Sequence, residues 1–242
     1  MAIVGVGLAG AFVAGPGMAN TVYTDGTFAQ SDYTVTSFQT GGGTITTAQS
    51  LTGGNPGAAS ETIIDGPAST SYQATSYWIN NTFAYNPSVS GAVTSLAFSA
   101  DRDLNFNGTP LAVAGVSSII EQDGNYYRYV APITTQQGVY QTGSNSGLVA
   151  NDYNLITNLT TGTANTASHP DFHDGLMLFG FSSGVSSSLS TPFTGDIFTD
   201  NLSYDIKSSP VPLPAALWLF GSGLAALCCI GRKQVARPAL SA

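Results

Sequence analysis

The sequence is short of charge. Only 8% of its 242 residues are Asp, Glu, Lys or Arg, and six of them are basic. Chains this poor in charge form neither a coiled coil nor a charged disordered tail, since both need long runs of Glu, Lys or Arg. Three of the six bases, Arg232, Lys233 and Arg237, fall in the last eleven residues. Before them, fourteen carboxylates stand against Arg102, Arg128 and Lys207, a balance of −11. Such a chain lacks the basic face that displaces counterions from nucleic acid, which excludes nucleic acid as a partner. Cysteine is almost missing too. Cys228 and Cys229 are adjacent, and neighbouring cysteines cannot staple a fold, so the body stands without disulfides.

What is present is Gly, Ser, Thr and Asn, arranged as short alternating segments between turn clusters. Residues 92–100 place Leu96, Phe98 and Ala100 on one face. Residues 201–206 alternate with Leu202, Tyr204 and Ile206 inward and Ser203 and Asp205 outward. Residues 175–181 are more continuously apolar, as a central strand requires. Asp123-Gly124 between Ile119-Ile120 and Tyr126-Tyr127 predicts a type I′ hairpin. No stretch of the body has a 3.6-residue period. Residues 20–208 therefore predict ten to twelve strands in one all-β domain, an antiparallel jelly-roll-like β-sandwich.

The two ends differ from this body. Residues 2–14 are apolar, and Gly17 and Ala19 supply the small residues a signal peptidase reads. Residues 1–19 are thus expected to be a signal peptide cleaved before Asn20, with its basic start upstream of Met1. Near the other end, residues 213–230 carry no charge. As a helix they would span roughly 27 Å, close to a bilayer core of about 30 Å. Pro214 fits a helix start, and Arg232 and Lys233 would hold the far end in the cytoplasm. This places the body outside the inner membrane, with 209–233 as the anchoring segment and 234–242 as a cytoplasmic tail.

Val211, Pro212, Leu213, Pro214 and Ala215, the hydrophobic stretch with Trp218, and the basic pair Arg232 and Lys233 together resemble a PEP-CTERM sorting signal of the VPLPA variant. The resemblance implies recognition by an exosortase, a membrane protease-transpeptidase, with processing near 212–214. It also implies handover to the cell surface or extracellular matrix, in company with exopolysaccharide and biofilm functions. The order of residues 53–57, 76–100, 124–133 and 198–206 resembles laminin-B-like or concanavalin-like jelly rolls, which implies binding of glycans without catalysis.

Individual residues offer several chemistries. Aromatic rings stack on sugar faces, which makes Tyr77, Trp78, Tyr126 and Tyr127 candidates for a glycan platform. Asp101, Asp103, Asn105 and Asn107 alternate like the start of a calcium loop, although Ala114 stands where an EF-hand needs its bidentate Glu. They form either a structural Ca²⁺ site or an edge strand with Asp101, Asp103 and Asn105 outward and Asn107-Gly108 as its turn. His169 and His173 lie in a Pro-containing turn, which makes a zinc site the weaker reading beside a solvated loop. Glu61 and Glu121, the only glutamates, would have to converge for glycosidic hydrolysis. No G-x-S-x-G elbow is present. The expectation is an exported surface or matrix protein that contacts extracellular polysaccharide and is not an enzyme, with no cofactor beyond that Ca²⁺. The alternatives are an exported glycan hydrolase and a structural protein with no ligand.

Overall fold

Residues 193–208 alternate between inward small or apolar side chains and outward polar ones, with one change of phase. The computed structural model of the chain shows why. It describes residues 19–69, 71–107, 116–131, 136–187 and 191–210. The chain divides after Pro210 into Met1–Pro210 and Val211–Ala242, and the second unit lies outside the described residues. So do residues 1–18. The predicted signal segment, the VPLPA motif and the helix at 213–230 are therefore not described. Among the described residues no helix is long and apolar enough to cross a membrane.

Thirteen strands are described in chain order. They are β1 (Ala19–Asp25), β2 (Tyr33–Thr40), β3 (Thr44–Gly54), β4 (Gly57–Gly66), β5 (Tyr72–Tyr85), β6 (Val93–Asn107), β7 (Val116–Gln122), β8 (Asn125–Ala131), β9 (Gln141–Leu148), β10 (Asn154–Asn158), β11 (Thr163–Asn165), β12 (Met177–Ser187) and β13 (Phe193–Ser208). They form two antiparallel sheets. One runs β3-β4-β13-β6-β9, with β1 also paired to β13. The other runs β11-β10-β8-β7-β12-β5-β2. The chain passes repeatedly between the sheets, for example from β5 to β6 and back to β7, which makes a sandwich.

The phase change in β13 is a bulge. Phe193, Ile197 and Thr199 are buried at odd positions, and Leu202, Tyr204, Ile206 and Ser208 at even ones. The register against β6 shifts between Asp200 and Ser203, and Asn201 adopts φ 50°. An extra residue turns every later side chain to the other face, so the sequence pattern reverses there while the inward face stays apolar. The β7–β8 hairpin is the predicted one. Asp123 and Gly124 have φ 53° and 77° between the pair Gln122–Asn125, as a type I′ turn requires.

Aromatics dominate the interior. Trp78 stacks on Phe181 at 5.7 Å, and Phe179 lies 4.9 Å from Tyr204. Rings of this size supply much of the driving force, at about 1.5–3 kcal/mol for each large side chain fully buried. The hydroxyls of buried Tyr153 and Tyr204 are satisfied internally. Ser118 Oγ lies 2.9 Å from the Tyr153 hydroxyl and 2.7 Å from that of Tyr204. At the end of β1, buried Asp25 accepts bonds from the Thr27 and Phe28 amides at 2.7 and 3.0 Å and from the Tyr33 hydroxyl at 2.8 Å. This carboxylate pins the turn from β1 into β2.

Candidate functional site

The outward face of the seven-stranded sheet is built from alternate residues. On β5 these are Gln73, Thr75, Tyr77 and Ile79, and on β8 Tyr126 and Arg128. Tyr77, Ile79, Ile119 and Ile156 form a buried cluster on this face, with Leu159 and Tyr126 packed against it. The Tyr77 hydroxyl donates to the Leu159 carbonyl at 2.9 Å, which ties the turn between β10 and β11 down onto the sheet. Beside this turn is a cavity of about 220 Å³. Its lining includes Gln73, Thr75, Arg102, Ser117, Arg128 and Thr161, and no carboxylate among the described residues.

The two arginines reach the cavity from opposite sheets. Arg102 is on β6, in phase with inward-facing Phe98 and Ala100, and is 2% exposed. It crosses the interior to β12, where its Nη2 donates to the Ser182 carbonyl at 2.6 Å and to Ser183 Oγ at 3.4 Å. Pairing of β12 with β7 ends at this place, with Ser182 opposite Ser117. Burial lowers the Arg102 guanidinium to about 10, which leaves it a cation at neutral pH. Arg128 donates from Nη2 to the Gly162 carbonyl at 2.9 Å. Gly162 has φ 65°, and a Cβ there would lie 2.7 Å from Arg128 Nη1, so glycine lets the guanidinium close on the turn. Two of the three bases of the body therefore share one cavity.

The four predicted aromatics are divided by the pleat. Trp78 is fully buried in the interior against Phe181, so its ring is not offered to a sugar, whereas Tyr127 is half-buried with its packing on the same interior cluster. Tyr77 faces outward but is 1% exposed beneath the β10–β11 turn, and burial pushes its phenol up to about 12. Only Tyr126 is half-exposed on the cavity's face, two residues from Arg128.

Asp101, Asp103, Asn105 and Asn107 belong to β6, which lies between β13 and β9 and is not an edge strand. Alternate strand positions are roughly 6.7 Å apart, so the four side chains are set along a line and do not wrap a centre. Asp101 accepts from Thr142 Oγ1 at 2.5 Å and Asn201 Nδ2 at 2.9 Å. Asp103 accepts from its neighbour's amide, Leu104 N, at 2.8 Å. Among the described residues no three His, Cys, Asp or Glu side chains group as a metal site. His169 Nδ1 lies 2.8 Å from the Tyr153 carbonyl, whereas His173 is exposed beside Asp171 at 3.5 Å. Gln122 straps this loop through the Asp171 amide and the Asp171 and Asp174 carbonyls. Glu61 and Glu121 face outward from different sheets, β4 and β7, so no cleft holds both.

No protein-family model matches the chain, and no curated protein does. Several solved structures are similar in layout. A family 11 carbohydrate-binding module from Clostridium thermocellum, in complex with a β-1,3-1,4-mixed-linked tetrasaccharide, has a TM-score of 0.43 at 10% identity, covering 79% of this chain and 96% of its own. The lectin UEA-II complexed with galactose has 0.42 at 11%, covering 78% and 98%. The CBM22-1 xylan-binding domain from Paenibacillus barcinonensis Xyn10C has 0.37 at 10%, covering 80% and 99%. At these values the likeness is one of layout alone, and the cavity stands on its own geometry.

Proposed function

We propose that this chain is an exported, non-catalytic saccharide-binding protein whose site is the cavity on the outward face of the seven-stranded sheet. The observation that carries this reading is the lining of that cavity, where Gln, Thr, Ser and Arg side chains offer donors and acceptors in a hollow of about 220 Å³. Sites that engulf a drug-sized ligand run roughly 300–1,000 Å³. This one is sized for a single residue of a polymer, and half-exposed Tyr126, two residues from Arg128 along β8, presents an apolar surface on the same face. The separation of Glu61 and Glu121 supports a binding role over hydrolysis.

The sorting part of the proposal rests on the sequence at 211–233 and the apolar run at 2–14. The fold is compatible with it. Ala19 pairs with Ser208, so the first described strand and the last meet at one end of one sheet. The cavity pair Gln73–Ser186 lies at the other end of β5 and β12 from Tyr85–Met177. Tyr85 in turn bonds Gly91 at 2.8 Å, close to where Val93 meets Ser208. Within the described body, the cavity thus lies toward the opposite end from the Ala19–Ser208 pair.

Two measurements test the reading. Affinity electrophoresis of the purified chain through gels containing a panel of neutral and acidic polysaccharides is expected to show retardation by at least one, and Arg128→Ala is expected to reduce it. Free migration in every gel overturns the binding role and leaves a structural surface protein. For sorting, the mass and location of the chain are compared in cells with and without the exosortase. Loss of the C-terminal segment near 212–214 only when the exosortase is present is the expected result. Full-length chain in the inner membrane in both cases overturns it.

A further inference from the structure

The charge of the cavity selects among saccharides. We infer that the ligand is an acidic sugar polymer, and that Arg128 and Arg102 receive the carboxylate of a uronic-acid residue seated in the cavity. This deepens the saccharide-binding proposal and rests on it.

The argument starts from scarcity. Across residues 20–208, fourteen carboxylates face three bases, and two of those three bases line one cavity that no described carboxylate lines. A cavity meant for a neutral sugar needs hydroxyl and amide groups, which Gln73, Thr75, Ser117 and Thr161 already supply. Guanidinium adds a planar fork of N–H donors that matches a carboxylate and is shorter and stronger in its bonding than a neutral donor. Arg128 has five N–H donors, and its described hydrogen bond, to the Gly162 carbonyl, uses one. Arg102 is held in place by β12 from the opposite side. A receiving group fixed before the ligand arrives loses less entropy on binding.

The surrounding surface adds a second element. The outward face of the other sheet carries Glu61, Asp65, Asp101, Asp103, Asp196 and Asp205. An acidic polymer is repelled there, and the hollows on that face each carry a carboxylate, Asp205, Asp65 or Asp196, so its binding is directed to the arginine-lined cavity. A neutral polymer would meet no such restriction.

The deciding experiment compares one oligomer with and without its charge. Binding of α-1,4-galacturonate oligomers and of the same oligomers methyl-esterified is measured by calorimetry on the purified full chain. The expected result is at least about tenfold tighter binding of the acid, the scale of one charge-assisted contact. Arg128→Ala is expected to abolish that preference. Lys207→Ala removes the same charge from the opposite sheet and is expected to leave it intact. Thr161→Asp, at an exposed position on the cavity's rim, keeps the experiment decisive where the arginine variant does not fold. It is expected to weaken the acid and spare the ester. Equal binding of acid and ester overturns this inference while the saccharide reading stands. Binding of neither, in a chain that also ignores the polysaccharide panel, overturns both. Inorganic phosphate displacing the acid as effectively as free galacturonate shows an anion site that does not read sugar, and that also overturns the inference.

Discussion

The sandwich has two outward faces that start from the same alternation and end with opposite character. On the six-stranded sheet, alternate positions of β4, β6 and β13 carry carboxylates, and nothing in the described structure roofs the row Glu61, Asp65, Asp196. Tyr140 near this face has its phenol pushed well above the ordinary range by burial and by the carboxylates of Asp200, Asp103 and Asp101. On the seven-stranded sheet, the corresponding positions are Tyr77, Ile79 and Ile119, and the β10–β11 turn covers them. The hollows on the unroofed face are each lined by a carboxylate, Asp205, Asp65 or Asp196. The hollow on the other face lies at the margin where the β10–β11 turn and the sheet separate, and it is lined by the two arginines. The two faces thus differ in the charge of their hollows, and the turn supplies one wall of the basic one.

The comparison breaks most directly through stability. If the roofed face is a second core, Ile119→Ala costs about 2–5 kcal/mol, as buried truncations do. The matching change on the other face, Ile63→Ala at a half-buried outward position, costs about 1 kcal/mol or less. Urea midpoints measured in parallel decide the matter, and equal losses would mean the roof contributes no packing. Next in size is Tyr77→Phe, which removes the hydroxyl that holds the Leu159 carbonyl. A cost of about 1 kcal/mol is expected. Because Leu159 leads into Gly162 and its bond to Arg128, saccharide affinity should fall with it, and calorimetry on the same variant reads that loss. Unchanged affinity would separate the roof from the cavity.

Much of the sandwich was legible because it is written in local rules. The alternation of Leu202, Tyr204 and Ile206 and the Asp123-Gly124 turn each follow from one strand or one turn. The cavity was not, because it is assembled from β5, β6, β7, β8, β12 and a turn, and no single stretch shows it. A signal for Arg102 was nonetheless present. Leu96, Phe98 and Ala100 set the inward phase of β6, and two further steps reach Arg102 and Leu104, both buried. The polar run at 101–107 suggested a loop or an edge, whereas the ladder with β13 continues through Asn107. Trp78 and Tyr77 illustrate the opposite limit. Adjacent residues must face opposite ways, but which of them meets the interior depends on the partner sheet, and the phase of β5 put the tryptophan inside.

The smallest expected effect concerns charge on the unroofed face, and pH separates it from the carboxylate that holds β1. Burial and neighbouring carboxylates raise Glu61, beside Asp196, and raise Asp196, beside Asp65. Groups held above their unfolded values of about 4 favour the proton in the folded state, so they weaken the fold at neutral pH. That penalty fades as pH falls through the raised values. Asp25 runs the other way. Burial works to raise it, but the Phe28 and Thr27 amides and the Tyr33 and Thr27 hydroxyls outweigh this and hold it below the usual carboxylate range. Its contribution is complete above the unfolded value of about 3.9 and is lost as pH drops from there through the lower folded value. Melting temperature should therefore rise slightly from neutral pH toward that value and fall below it. Asp196→Asn removes the rise, adding a few tenths of a kcal/mol at neutral pH because half-exposed charges are screened. It leaves the acid fall in place, while Asp25→Asn flattens the fall and leaves the rise. A melting profile in which Asp196→Asn instead lowered stability at neutral pH would show that the acidic row is paired, and the contrast between the two faces would lose its electrostatic half.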